Sequence, residues 1–166
     1  MKRTSLSDKL KAWLNVFRVG NATALGFATL VGFKAGGGEL LSLLTLLLFL
    51  TGFTIGAGGN AVNDYFDRDI DSINKPWRPI PSGILKPSEV YTASIVMLVI
   101  GVALSVITAI VSSNYVLPAV ALLASILVYS YSWRLKRLLI VGNLVVAGLA
   151  ALSILYGGLA SGNAWP

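Results

Sequence analysis

The sequence predicts an all-α fold: a polytopic transmembrane helical bundle of about five spans, with the N-terminus on the cytoplasmic side. Three observations predict it. Of the 166 residues, 55% are hydrophobic and only 12% charged, whereas soluble domains run nearer a quarter charged. Apolar stretches of about 20 residues, enough to cross the hydrocarbon core, recur along the chain. Threading them through a bilayer gathers the basic residues on one side, which the positive-inside rule makes cytoplasmic.

The elements follow in order. Met1–Lys11 carries Lys2, Arg3, Lys9 and Lys11 but no apolar run ending in a small-residue cleavage site, so it does not read as a cleaved signal. Ala12–Phe33 forms a first span, made amphipathic in its first half by Asn15, Arg18 and Asn21. Ala35-Gly36-Gly37-Gly38 breaks it, and Leu40–Gly59 is a second span. A polar segment from Asn60 to about Glu89 holds Pro76, Pro79, Pro81 and Pro87, which rule out one continuous helix because each lacks an N–H and clashes with the preceding turn. Val90–Val111 is a third span. The turn Ser112-Ser113-Asn114 leads to a fourth over Tyr115–Tyr131, and Leu138–Leu159 is a fifth after the basic stretch Trp133–Arg137. We take residues 1–166 as a single membrane domain.

With this threading every Lys and Arg except Lys34 lies on or near the cytoplasmic side. Orientation therefore accounts for the net charge of +6, and a nucleic-acid role loses its support. The absence of Cys and His excludes disulfides, thiolate zinc sites and a Ser-His-Asp triad. Any metal would have oxygen ligands, which favours a hard cation such as Mg²⁺.

The chemistry concentrates in Asn63-Asp64-Tyr65-Phe66-Asp67-Arg68-Asp69-Ile70-Asp71. On a helix, Asn63, Asp67 and Asp71 fall at i, i+4 and i+8, and Asp64 joins them within about 100° of arc. Carboxylates on one stripe repel one another unless a cation lies among them. A solvated acidic helix end would explain the charge, but neither the amide nor the position directly after an apolar span; ionisable groups at membrane depth are usually functional. The loop Asn74-Lys75-Pro76-Trp77-Arg78-Pro79-Ile80-Pro81-Ser82-Gly83 supplies the opposite sign on a proline-stiffened frame. Arg suits a phosphate in bidentate geometry. Lys75, Lys86 and even Arg78 also fit ordinary positive-inside charge.

These two segments resemble the first signature of the UbiA superfamily of intramembrane prenyltransferases. Arg18-Val19-Gly20-Asn21 resembles that family's Arg-Pro-x-Asn, and Tyr129-Ser130-Tyr131-Ser132-Trp133-Arg134-Leu135-Lys136-Arg137 resembles its tyrosine-to-lysine stretch. Within the superfamily, Asp69 to Gly83 looks most like archaeal digeranylgeranylglyceryl phosphate synthases, with chlorophyll synthases sharing much of it.

The resemblance implies a bundle whose central cavity binds an isoprenyl diphosphate through Mg²⁺, ionises its allylic C–O bond and passes the isoprenyl group to a lipid acceptor such as geranylgeranylglyceryl phosphate. An aromatic acceptor or a chlorophyll-type reaction is the alternative. It implies Asn63, Asp67 and Asp71 as metal ligands with Asp64 in support, and Asp67, Asp71 and Lys136 as catalytic. Arg78 and Lys136 would meet the diphosphate, with Lys75, Arg18, Asn21 and Arg137 as further candidates. Tyr129 and Tyr131 would face the reactive carbon, where a ring face stabilises a cation; for both, an interfacial aromatic belt is the competing account.

Family members carry a second Asp-rich motif, yet no Asp or Glu follows Glu89. The expectation is therefore the N-terminal part of a longer prenyltransferase, or a chain that pairs with one supplying the second motif. A non-catalytic membrane scaffold or small transporter is the reading of another class.

Overall fold

A computed structural model describes residues 5–162 as six α-helices and one short 3-10 turn, with no strand among the described residues. The helices are α1 (Leu6–Phe17), α2 (Val19–Ala35), α3 (Leu43–Asn74), α4 (Pro87–Ser112), α5 (Leu117–Trp133) and α6 (Leu139–Ala160), with the 3-10 turn at Leu135–Arg137. The basic residues Lys2 and Arg3 lie outside the described residues.

Local chemistry sets the helix starts. The Ser5 hydroxyl accepts the Asp8 N–H at 3.1 Å and the Asp8 carboxylate accepts the Ser5 N–H, a reciprocal cap on α1. Ser42 caps α3 through the Thr45 N–H. Pro87 opens α4, where its missing N–H costs nothing, and Glu89 accepts the Lys86 N–H at 2.8 Å.

The expected first span is not one straight helix. Arg18 adopts φ 43°, ψ 60°, and α1 and α2 meet there at 44°. This left-handed conformation is unfavourable for a residue with a Cβ. Two tertiary contacts hold it: Asn60 of α3 donates to the Phe17 carbonyl at 3.1 Å, and the Arg18 guanidinium reaches Asp64. The second expected span and the acidic stripe, in contrast, are one helix of 32 residues, because nothing between Leu43 and Asn74 interrupts the backbone ladder before Pro76.

Helices α3, α4 and α6 are long and apolar enough to cross a membrane, and the bent α1–α2 pair makes a fourth crossing if taken as one. Helix α5 is apolar but only 17 residues long, so a count of five depends on it. Lipid offers no partner for polar groups, so the buried hydroxyls of the helices bond internally, Ser112 Oγ at the end of α4 excepted: Thr51, Thr108, Ser125 and Ser132 donate to carbonyls one turn back, and the Tyr156 hydroxyl donates to Ser105 Oγ at 2.8 Å. Helices α2 and α6 pack backbone to backbone: a Cβ on Gly32 would overlap the Ile154 carbonyl oxygen, and one on Gly157 the Thr29 carbonyl oxygen.

Two apolar clusters divide the interior. One gathers Phe33, Leu48, Ala109, Leu117, Tyr156 and Ala160. The other packs Ile80 and Leu85 of the proline loop against Ala12 and Val16 of α1, with Ala61 and Val90. That second cluster pins the loop over the end of α3. Turn bonds Ser82 N–H to Arg78 C=O and Leu85 N–H to Pro79 C=O shape it, and Gly83 supplies the φ of 74° that closes it.

Candidate diphosphate site at the end of helix α3

The acidic stripe forms on α3 as its spacing requires, but it divides into two ion-pair sets. Asn63 and Asp67, one turn apart, face the 3-10 turn after α5. Lys136 Nζ donates to Asp67 Oδ1 at 2.6 Å and to Asn63 Oδ1 at 3.1 Å, while Asn63 Nδ2 donates to Asp67 Oδ2 at 3.1 Å. Asp64 and Asp71, nearly two turns apart, face α1 and the proline loop. Arg78 Nη1 bridges them, 2.6 Å from Asp71 Oδ2 and 3.1 Å from Asp64 Oδ1, and Arg18 Nη2 lies 2.7 Å from the same Asp64 oxygen.

The geometry of a helix explains the division. At about 100° per residue the pair 63/67 and the pair 64/71 are centred about 70° apart, so each faces a different neighbour. Asp64 and Asp71 have 7% exposed side chains, and buried carboxylates persist only when paired. The four residues that the sequence groups on one stripe thus divide between two sets of basic partners. Among the described residues no three His, Cys, Asp or Glu side chains converge as a metal cluster.

The donor chemistry nonetheless fits a hard cation at the first pair. The Lys136 ammonium lies against two oxygens, one amide and one carboxylate, of the kind that bind Mg²⁺. Charge gives the same direction. Asp64, Asp67 and Asp71 are balanced by Arg18, Arg78 and Lys136, so an added polyanion requires further positive charge.

The other expected residues are placed less uniformly. Lys75 ends α3 and is exposed, with no ion pair to the site carboxylates; Asn21 is exposed on α2. Lys86 is exposed and precedes α4. Tyr129 joins an aromatic cluster, its hydroxyl 3.2 Å from that of Tyr91 and its ring edge-on to Phe66 at 5.6 Å. Tyr131 is partly buried outside that cluster. Arg137 lines a different recess from Lys136, together with Arg68 and Arg134. Sequence reasoning missed Tyr91 and Tyr65, whose rings lie 4.7 Å apart. It also missed Asn60; a lone amide within an otherwise small and apolar run is the signal that could have found it.

Deeper in the bundle, Leu25, Gly56, Val120, Val128, Leu149 and Tyr156 line an almost wholly apolar cavity between α2, α3, α5 and α6. Val128 adjoins Tyr129, and Gly56 lies two turns below Asn63 on α3.

Fold and site together define a helical membrane protein with a charged site at one end of its bundle and an apolar cavity beneath. The family comparison agrees: the model of the UbiA prenyltransferase family matches residues 25–166, and the chain belongs to that family. It is 38% identical over 149 residues to the digeranylgeranylglyceryl phosphate synthase of Methanothrix thermoacetophila, covering 89% of this chain and 54% of the relative. The synthase of Saccharolobus solfataricus is 40% identical over 152 residues, with 91% and 52% covered. A solved structure from work on digeranylgeranylglyceryl phosphate synthase in membranes aligns with a TM-score of 0.86 at 33% identity, over 94% of this chain and 55% of that one. The chain thus spans about half the length of the curated relatives it matches.

Proposed function

We propose that residues 1–166 form the donor-binding part of an intramembrane prenyltransferase. It would transfer an isoprenyl group, geranylgeranyl by likeness to the relatives, from its diphosphate to a lipid acceptor such as geranylgeranylglyceryl phosphate. One observation carries the reading: Asn63 and Asp67 face Lys136 while Arg78 and Arg18 are fixed beside them, at the end of a helix whose preceding turns lie in the apolar interior of the bundle.

Asn63 and Asp67 would hold Mg²⁺, whose charge would offset the diphosphate and favour its departure. Lys136, displaced from the two oxygens, would turn to the diphosphate. Asp64 and Asp71 act by holding Arg18 and Arg78 in place instead of binding metal themselves. The allylic C–O bond breaks with its electron pair leaving on the diphosphate. The acceptor hydroxyl oxygen then forms the new C–O bond, and its proton passes to the released diphosphate. The rings of Tyr129 and Phe66, in edge-to-face contact near Asp67, would supply the electron density that a carbocation needs. A second acidic wall would come from another segment or chain. The site loops would lie on the cytoplasmic face, as the charge distribution favours.

The test is Mg²⁺-dependent transfer of radiolabelled geranylgeranyl in membranes containing this chain, with Asp67→Asn abolishing it. A chain inactive alone but active when a longer relative's remaining segment is co-expressed would support the donor-binding reading. Retained binding and transfer in Asp67→Asn would sink it. The scaffold alternative predicts no protection against unfolding by geranylgeranyl diphosphate with Mg²⁺. An aromatic acceptor consumed in preference to the lipid phosphate would redirect the substrate assignment.

A further inference from the structure

Three arginines of the cytoplasmic end remain outside the donor site. Arg68 on α3, Arg134 just after α5 and Arg137 in the 3-10 turn line one recess of about 440 Å³. Its other walls are aromatic: Tyr65, Phe66 and Trp133. The recess is large enough for a small headgroup and its stem. It is also distinct from the donor site in its charge balance. Arg18, Arg78 and Lys136 each have a carboxylate partner at 3.1 Å or less. Among the described residues that line the recess, the one carboxylate is Asp69, 3.6 Å from Arg68 and 87% exposed on its side chain. Arg134 and Arg137 form no ion pair among the described residues.

The backbone sets the recess beside the donor site. Helix α3 presents Asp67 to Lys136 and the flanking Phe66 and Arg68 to the recess; the 3-10 turn presents Lys136 one way and Arg137 the other. Arg68 is held in position by its bond to the Tyr65 carbonyl at 3.0 Å and by the Tyr65 ring, 4.7 Å below its guanidinium carbon. The surplus is thus two guanidiniums without an ion pair among the described residues, lining one recess with a third that is fixed and weakly neutralised. Such an arrangement matches a compact dianion offered to planar, bidentate donors. The aromatic walls match an apolar stem continuing from it toward the membrane.

We infer that this recess binds the phosphate monoester headgroup of the lipid acceptor, placing the acceptor beside the donor diphosphate. The inference rests on the transferase reading for the word acceptor; the phosphate recognition itself rests on the recess alone. Bulk anionic lipid offers the same chemistry with one negative charge fewer, so selectivity between the two separates a built site from a basic surface.

The experiment is equilibrium binding to this chain in neutral detergent, using a long-chain alkylglycerol phosphate and the same alkylglycerol without phosphate. The phosphate form should bind at least tenfold tighter. Arg134→Gln with Arg137→Gln should abolish that difference, while Lys9→Gln with Lys11→Gln, equal in charge removed and outside the recess, should preserve it. Phosphatidylglycerol should compete at least tenfold less well than the monoester. Equal binding of the two alkylglycerols, equal loss in the lysine pair, or equal competition by phosphatidylglycerol would each overturn the inference. Geranylgeranyl diphosphate with Mg²⁺ should still bind the arginine double variant, which also shows that it is folded. Wild-type chain that discriminates the phosphate but fails to bind that donor would refute the transferase reading and leave the recess as a phosphate-monoester site.

Discussion

Lys136 Nζ lies 2.6 Å from Asp67 Oδ1, joining residues 69 positions apart and closing the end of α3 against the turn after α5. The ammonium lies between an amide oxygen and a carboxylate oxygen, the two groups assigned to Mg²⁺ in the proposed function. On that proposal lysine and metal would compete for the same two ligands, with opposing effects on metal and donor binding.

Lys136→Gln should bind Mn²⁺, a spectroscopic substitute for Mg²⁺, more tightly in the absence of donor, by roughly tenfold or about 1.4 kcal/mol. The same variant should bind geranylgeranyl diphosphate more weakly, since it lacks the ammonium proposed to contact the diphosphate. Metal titration followed by electron paramagnetic resonance reads the first and ligand-induced thermal shift the second. Weaker metal binding in the variant would contradict the competition.

Removing Arg78 leaves Asp64 and Asp71 buried with less compensation. Arg78→Ala should cost about 3 kcal/mol of stability, at the low end for a broken buried pair because the arginine side chain is 22% exposed. Thermal unfolding in detergent measures it. A double-mutant cycle with Asp71→Asn should show coupling of about 1–3 kcal/mol; additivity within experimental error would mean that Arg78 does not hold Asp71.

Donor and metal should stabilise the chain only together. With both present at about a hundredfold excess over their dissociation constants, stabilisation of roughly 2.7 kcal/mol is expected. EDTA, or Asp67→Asn, should remove it. Equal protection by the donor in EDTA would show that the basic side chains alone bind the diphosphate.

Backbone contact between α2 and α6 leaves no room at Gly157. Gly157→Ala should destabilise by about 1–3 kcal/mol, because the added methyl meets the Thr29 carbonyl of α2 and neither helix can yield locally. Gly148 on the same helix has open space at its Cβ, so Gly148→Ala is expected to be neutral or slightly stabilising. Identical unfolding temperatures for the two variants would argue against this packing.

Much of the site was legible before any fold was known. Asn63, Asp64, Asp67 and Asp71 sit on one helical stripe because 3.6 residues per turn places them there. The prolines after Asn74 end that helix wherever it packs. The Leu- and Val-rich windows required lipid or a buried core by composition alone. Local rules of spacing, propensity and solvation carry all three conclusions.

Tertiary structure decided what each charge faces. No spacing rule divides the stripe between Lys136 and Arg78, because Arg78 arrives on a loop seated by Ile80 and Leu85 against α1, and Lys136 on the 3-10 turn that follows α5. Nor does sequence pattern reveal the break at Arg18, a strained conformation that local propensity disfavours and that Asn60 and Asp64 compensate from across the bundle. The separation of Arg137 from its neighbour Lys136 has the same origin: a 3-10 turn sends adjacent side chains to different neighbours, and only the assembled helices determine which. Sequence alone determined which groups carry charge and which helical face they share; three-dimensional packing determined their partners, since ion pairing falls off over a few ångströms that no one-dimensional spacing encodes.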